Sequence, residues 1–110
     1  MRTFDTGATR DADDDKYVYD GFLSRAVWER FAAYMHAHRQ QADGKLRAAD
    51  NWKKGIPKTA YFQSAFRHFM EFWKAHEENE STQDVLCALL FNVQGYLHEV
   101  IQEEGSDARS

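Results

Sequence analysis

The sequence predicts an all-α domain: a small bundle of three main helices with a structured N-terminal arm and a long loop between the first two helices. Two observations carry this. Pro57 is the only proline in 110 residues, so almost nothing in the chain forbids a helix. Three long stretches also repeat their apolar residues with the helical period of about 3.6.

Residues 1–20 read as an irregular arm. Gly7 and the run Asp11, Asp13, Asp14, Asp15 disfavour a packed element, while Tyr17, Val18 and Tyr19 are expected to dock on the core. Residues 22–40 form the first predicted helix, with Leu23, Val27, Phe31, Tyr34 and Met35 in phase, Asp20 or Ser24 as cap, and Arg39 near the end that favours a cation. Residues 41–57 read as a connection, broken by Gly44 and Gly55, with room for a helical turn near Lys45–Ala49. A loop of that length in a small domain usually has a task.

Residues 58–78 form the second predicted helix. Phe62, Ala65, Phe66, Phe69, Phe72 and Trp73 make a broad stripe expected to be core. Residues 82–103 form the third. Val85, Leu89, Val93, Tyr96, Leu97 and Val100 are its expected buried stripe, Ser81 and Asp84 resemble a capping box, and Gly105 is a stop signal. Residues 104–110 are expected to be a mobile tail. The whole, 1–110, is one domain. Three amphipathic helices alone make a thin core, which predicts a homo-oligomer.

Composition excludes several classes. The longest apolar run, Val85 to Phe91, is far too short for a membrane span. The N-terminus lacks the apolar stretch of a secretory signal, so a cytoplasmic location is expected. A single cysteine, Cys87, rules out an internal disulfide and reads as core. The net charge of -4 argues against a long nucleic acid. That charge is uneven. Counting Lys and Arg against Asp and Glu, residues 1–20 sum to -3, residues 21–74 to +6 and residues 75–110 to -7. A basic middle suits a compact anionic ligand, or pairs with the acidic ends.

Four constellations can carry chemistry. Gly7, Thr9, Arg10 and Lys16 combine free backbone N–H groups, a hydroxyl and cations, a set suited to phosphate; the alternative is a solvated arm. Asn51-Trp52-Lys53-Lys54-Gly55 places an aromatic ring beside lysines: Trp52 can stack a base while Lys53 or Lys54 meets phosphate, or Trp52 can plug the core. On the second helix Tyr61, Ser64, His68, Glu71, Ala75 and Glu78 share one face. There His68 and Glu71 can hold a metal, orient water or contact a base, with Arg67 beside them to reach phosphate, or the whole face is solvated. On the third helix Asn92 interrupts an apolar set and needs partners, from a ligand, from His68 or Glu71, or within the core as a satisfied amide. Asp84 reads as a cap or a metal ligand.

In order along the chain stand Gly7 to Asp11, Lys16 and Tyr19, then Asn51, Trp52, Lys54, Gly55 and Pro57, then Ser64, Ala65, Arg67 and His68, then Asp84, Phe91 and Asn92. This order resembles the dATP/dGTP diphosphohydrolase N-terminal domains of phage proteins, over about nine tenths of the chain. N-W-x-K-G-x-P followed by R-H is its most specific part. The resemblance implies an α-helical phage protein acting on purine deoxynucleotides in the cytoplasm of an infected bacterium. It also implies a grouping with MazG-like enzymes, which release pyrophosphate by Mg²⁺-assisted attack of water. On that basis Mg²⁺ is assigned to Glu71, Glu78 and Asp84, and catalysis to His68 and Glu71. Nucleotide binding falls to Thr9, Arg10, Lys16, Asn51, Trp52, Lys54, Arg67 and Asn92. The family's E-x-x-E and E-x-x-D helix pair is absent, and Val85 follows the acid where the family commonly has histidine. Two other functions therefore stand beside hydrolysis. One is an anti-defence protein that sequesters a cyclic or ADP-ribose-derived host immune signal. The other is a protein-interaction inhibitor of a host factor that uses the acidic segment 75–110.

Overall fold

The computed structural model of the chain describes residues 2–3, 5–7, 9–10 and 16–109, leaving out the side chains of residues 2, 9, 10 and 107–109. Its organising unit is an antiparallel hairpin of two long helices, crossed on one side by a third. The element order is β1 (Arg2–Thr3), β2 (Thr9–Arg10), α1 (Tyr19–Phe22), α2 (Arg25–Ala37), a 3₁₀ turn (Asn51–Lys54), α3 (Lys58–Glu77) and α4 (Gln83–Arg109). The all-α prediction holds. The arm is more regular than expected, because β1 and β2 pair antiparallel with Arg2 opposite Arg10 and Thr3 opposite Thr9. The acidic run 11–15 lies outside the described residues. Tyr17, Val18 and Tyr19 are exposed rather than docked.

The predicted first helix is split. Phe22 closes the short α1, and the main helix α2 starts at Arg25 because the Ser24 hydroxyl accepts from Val27 N at 3.3 Å. Only Phe31 of its stripe is fully buried; Leu23 and Val27 are exposed. The connection that follows is tied into a small loop. Arg47 N donates to Arg39 O at 2.7 Å, Arg39 Nε donates to Arg47 O at 2.7 Å, and Gln40 bridges Leu46. Gly44 turns this loop at φ +84°, a conformation that favours glycine. The expected helical turn near Lys45–Ala49 lies further on, at Asn51–Lys54.

α3 begins where expected, after Pro57. It ends in a Schellman motif with Asn79 in the left-handed position at φ 55°. Glu80 N donates to Ala75 O at 2.9 Å and Asn79 N to His76 O at 3.4 Å. This turn folds the chain straight back into α4, which runs through Gly105 to Arg109. One glycine inside a long helix costs only about 1 kcal/mol, so Gly105 is no stop and residues 104–109 are helix, not a loose tail. Asp84 pairs with Arg30 of α2 rather than completing a box with Ser81.

The two expected core stripes are core only in part: Ala65, Phe72, Val85, Leu89 and Val100 are half-buried and the rest are not. Phe62, Phe66, Phe69 and Trp73 are about half exposed, as are Val93 and Leu97, with Tyr96 slightly less so. The face read as polar is instead the seam: Tyr61 and Ala75 are buried, and Ser64 and His68 half-buried. Opposite them α4 buries Ala88, Asn92 and Gly95. Small residues let the helices approach closely; a Cβ on Gly95 would stand 2.2 Å from the Tyr61 ring. The far end of the hairpin is closed by Lys58 Nζ to Glu103 Oε2 at 2.7 Å and Ile56 N to Glu99 Oε1 at 3.3 Å.

Candidate functional site

α2 crosses α4 on one side of the hairpin and is locked there by Arg30. Its Nε donates to Gln83 Oε1 at 2.8 Å, its Nη2 pairs with Asp84, and its carbonyl lies 3.9 Å from Cys87 Sγ. The crossing encloses a cavity of about 510 Å³ between α2, the connection and α4. Trp28, Phe31 and Met35 of α2 form one wall, Phe91 and Gln94 of α4 another, and Asn51, Trp52 and Ile56 of the connection a third. Arg39, Arg47 and His36 also line it.

Trp52 is held edge to face by two rings of α4: Phe91 at 6.2 Å between centroids, and His98 at 4.8 Å. Lys53 Nζ sits 5.8 Å from the Trp52 ring centroid, a cation–π distance. Arg39 is oriented by its bond to Arg47 O. Among the described residues neither Arg39 nor Arg47 has a carboxylate partner. An aromatic slot with two uncompensated guanidinium groups can hold a flat heterocycle that carries negative charge.

A second cluster gathers where α2 meets the turn end of the hairpin. His68 Nδ1 lies 3.2 Å from Glu71 Oε2. Tyr34 is affected by acids from both helices. Its hydroxyl is pushed above the ordinary phenol value first by burial, then by Asp84, Cys87 and Glu71.

The residues assigned from sequence divide between these places. Asn51 and Trp52 line the cavity, while Lys54 is exposed beyond it. His68, Glu71 and Asp84 belong to the second cluster. Arg67 is exposed on α3 and does not line the cavity. Asn92 is buried in the seam, where its amide donates to Ala88 O at 2.9 Å within its own helix rather than to His68 or Glu71. Lys16 is exposed, and the side chains of Thr9 and Arg10 lie outside the described residues. Glu78 is the C-cap of α3. Among the described residues no three His, Cys, Asp or Glu side chains converge as a metal-ligating group. In one chain Glu71, Glu78 and Asp84 therefore do not fit a shared Mg²⁺.

Sequence reasoning missed Arg39 and Arg47. Arg39 reads as a helix-end cation, and Arg47 as loop. The available signal was their placement on either side of Asp43-Gly44, a turn dipeptide that pairs the residues flanking it.

A family model described as dATP/dGTP diphosphohydrolase, N-terminal, matches residues 6–109. No curated protein and no solved structure shows a significant match to the chain. No helix among the described residues is long and apolar enough to cross a membrane.

Proposed function

Because the chain belongs to the dATP/dGTP diphosphohydrolase N-terminal family, we propose that it binds a purine deoxynucleotide in the cavity between α2, the connection and α4. Trp52 stacks the base, Asn51 and Gln94 offer hydrogen bonds to its edge, and Arg39 and Arg47 face the phosphates. Lys53 and Lys54 extend the positive charge beyond the rim. The observation that carries this reading is the placement of Asn51 and Trp52, the most specific block of the sequence, in an aromatic cavity beside two arginines with no carboxylate partner among the described residues.

The experiment is a thermal-shift titration with dATP, dGTP and dTTP, with and without Mg²⁺. At a ligand concentration a hundred times Kd the expected gain is about 2.7 kcal/mol. Purine nucleotides should raise Tm more than dTTP, and Trp52→Ala should abolish the difference. Equal shifts for wild type and Trp52→Ala would remove the base from this cavity.

Turnover is the second part of the proposal. The family description names a diphosphohydrolase, whose products are a nucleoside monophosphate and pyrophosphate. His68 and Glu71, in contact with each other outside the cavity, are the pair the sequence offers to orient a water, and Mg²⁺ dependence is tested by the same titration. One observation favours binding without turnover: Asp84 is engaged by Arg30, and the acids do not converge. Such a binder, in a phage, would hold a nucleotide-derived host signal intact. Chromatography after incubation with dATP or dGTP and Mg²⁺ separates the two, by monophosphate or unchanged ligand.

A further inference from the structure

The apolar residues left uncovered on α3 and α4 share one side of the hairpin. At about 100° per residue, Phe62, Phe66, Phe69 and Trp73 lie on one flank of the α3 seam. Val93 and Tyr96 lie on the corresponding flank of the α4 seam, with Leu97 behind them at the back of α4. The helices run antiparallel, so these flanks point the same way; the Lys58–Glu103 pair spans the seam on that same side. α2 and the cavity occupy the opposite side, where Arg30 meets Gln83 and Asp84. The hairpin is thus a two-helix slab, polar and aromatic towards α2 and, beyond the Lys58–Glu103 pair at one end, largely apolar away from it. Phe66 is 59% exposed, Trp73 51% and Val93 55%.

The extent of exposed surface is that of a protomer rather than of a finished globule. The accessible surface is 9151 Å², whereas a folded monomer of 12.8 kDa is expected to show about 6,300 Å². The radius of gyration is 19.3 Å, against about 13 Å for a compact chain of this length. The excess, which is summed over the whole chain with its exposed arm, is more than the roughly 800 Å² per partner that a standard stable interface buries, and so leaves room for one. A lipid surface is a poor occupant, because interfacial helices carry lysine and arginine on their polar side, whereas residues 75–110 sum to -7. A slab of two antiparallel helices with one apolar face is half of a four-helix bundle, and a two-fold copy supplies the other half.

We propose that this face is the interface with a second copy of the chain, hairpin on hairpin, with the nucleotide cavities of both copies opening away from the joint. The proposal is independent of what the cavity binds.

Two measurements on the full chain test it. Sedimentation equilibrium at tens of micromolar should give two chains, or an even multiple, instead of the 12.8 kDa of one. A single-chain mass overturns the proposal and leaves the face to a different partner. The second measurement locates the joint with a conservative change. The fluorescence difference between wild type and Trp73→Phe isolates the Trp73 ring, which is half exposed in one chain. Shielding of that component from acrylamide is expected. A dimer in which Trp73 stays fully quenchable places the joint elsewhere and overturns the proposal as well.

Discussion

The two sides of the α3–α4 hairpin are built on opposite plans. Towards α2 the side chains are matched to one another: Arg30 to Gln83 and Asp84, His68 to Glu71, and Trp52 to Phe91 and His98. Away from α2 the hairpin shows large apolar side chains, and Phe62 and Phe66 meet only as an edge-to-face pair within their own helix, at 5.1 Å. Between the two runs a seam of small and polar residues, Ser64, Ala75, Ala88, Asn92 and Gly95. The contrast separates three requirements within one helix pair. Close approach asks for small residues, recognition asks for oriented polar and aromatic groups, and association asks for apolar area.

The largest expected effect comes from breaking the apolar side. Phe66→Glu and Val93→Glu would each place a charge in the proposed joint, where it has no partner. The dissociation constant is expected to rise at least about 100-fold, or about 2.8 kcal/mol, measured by sedimentation across a concentration series. Val27→Glu, an equally exposed apolar position on α2, should leave the mass unchanged. If all three variants behave alike, the difference between the two sides is not one of association.

The seam comes next. In Gly95→Ala the new Cβ would meet Tyr61 Cε1 at 2.2 Å, so the ring or the helix must move. Overpacking costs about 1–3 kcal/mol, partly offset by the better helix propensity of alanine, about 1 kcal/mol. A net loss of up to about 2 kcal/mol in chemical denaturation is expected. A gain in stability would show that Tyr61 is free to swing aside and that the seam is loosely packed.

On the recognition side Arg47→Ala should weaken dATP binding about tenfold, the equivalent of about 1.4 kcal/mol, read by isothermal titration. Stability without nucleotide should change little, because the exposed Arg47 side chain has no partner among the described residues. Arg67→Ala should leave dATP affinity unchanged, since Arg67 does not line the cavity. The reverse result would return the phosphate site to α3.

The three helices were legible because their period, Ser24 and Pro57 are local signals. The block Asn51-Trp52 was legible for the same reason: its residue types are unusual in a plain connection. What failed was the direction of burial. Phe66 and Val93 obey the helical period as well as any core residue does, and the period reports an apolar face without saying which chain covers it. The seam was hidden by its chemistry, because Ser64, His68 and Asn92 read as polar while Gly95 and Ala88 carry little weight in any stripe. Arg39 and Arg47 were hidden because the loop joining them acquires its shape from two backbone hydrogen bonds and one side-chain bond, none of which depends on a side-chain pattern.

The smallest effect probes what close approach costs. Tyr61 is the most deeply buried large side chain, and its hydroxyl has no hydrogen-bond partner among the described residues. Burial, and then Glu99, push its pKa above the ordinary value of 10.0. The folded state therefore keeps its proton at a pH where the unfolded chain has lost it. Stability from this group is fully present below about pH 10 and falls as pH rises further. Tyr34 is raised in the same direction, so alkaline destabilisation is shared between the two. Tyr61→Phe removes both the unpartnered hydroxyl and its titration. It is expected to raise stability at pH 7 by up to about 1 kcal/mol and to flatten the loss above about pH 10, measured by urea denaturation at each pH. A destabilised Tyr61→Phe would mean that the hydroxyl is satisfied in solution, and that the seam is wetter than its small residues imply.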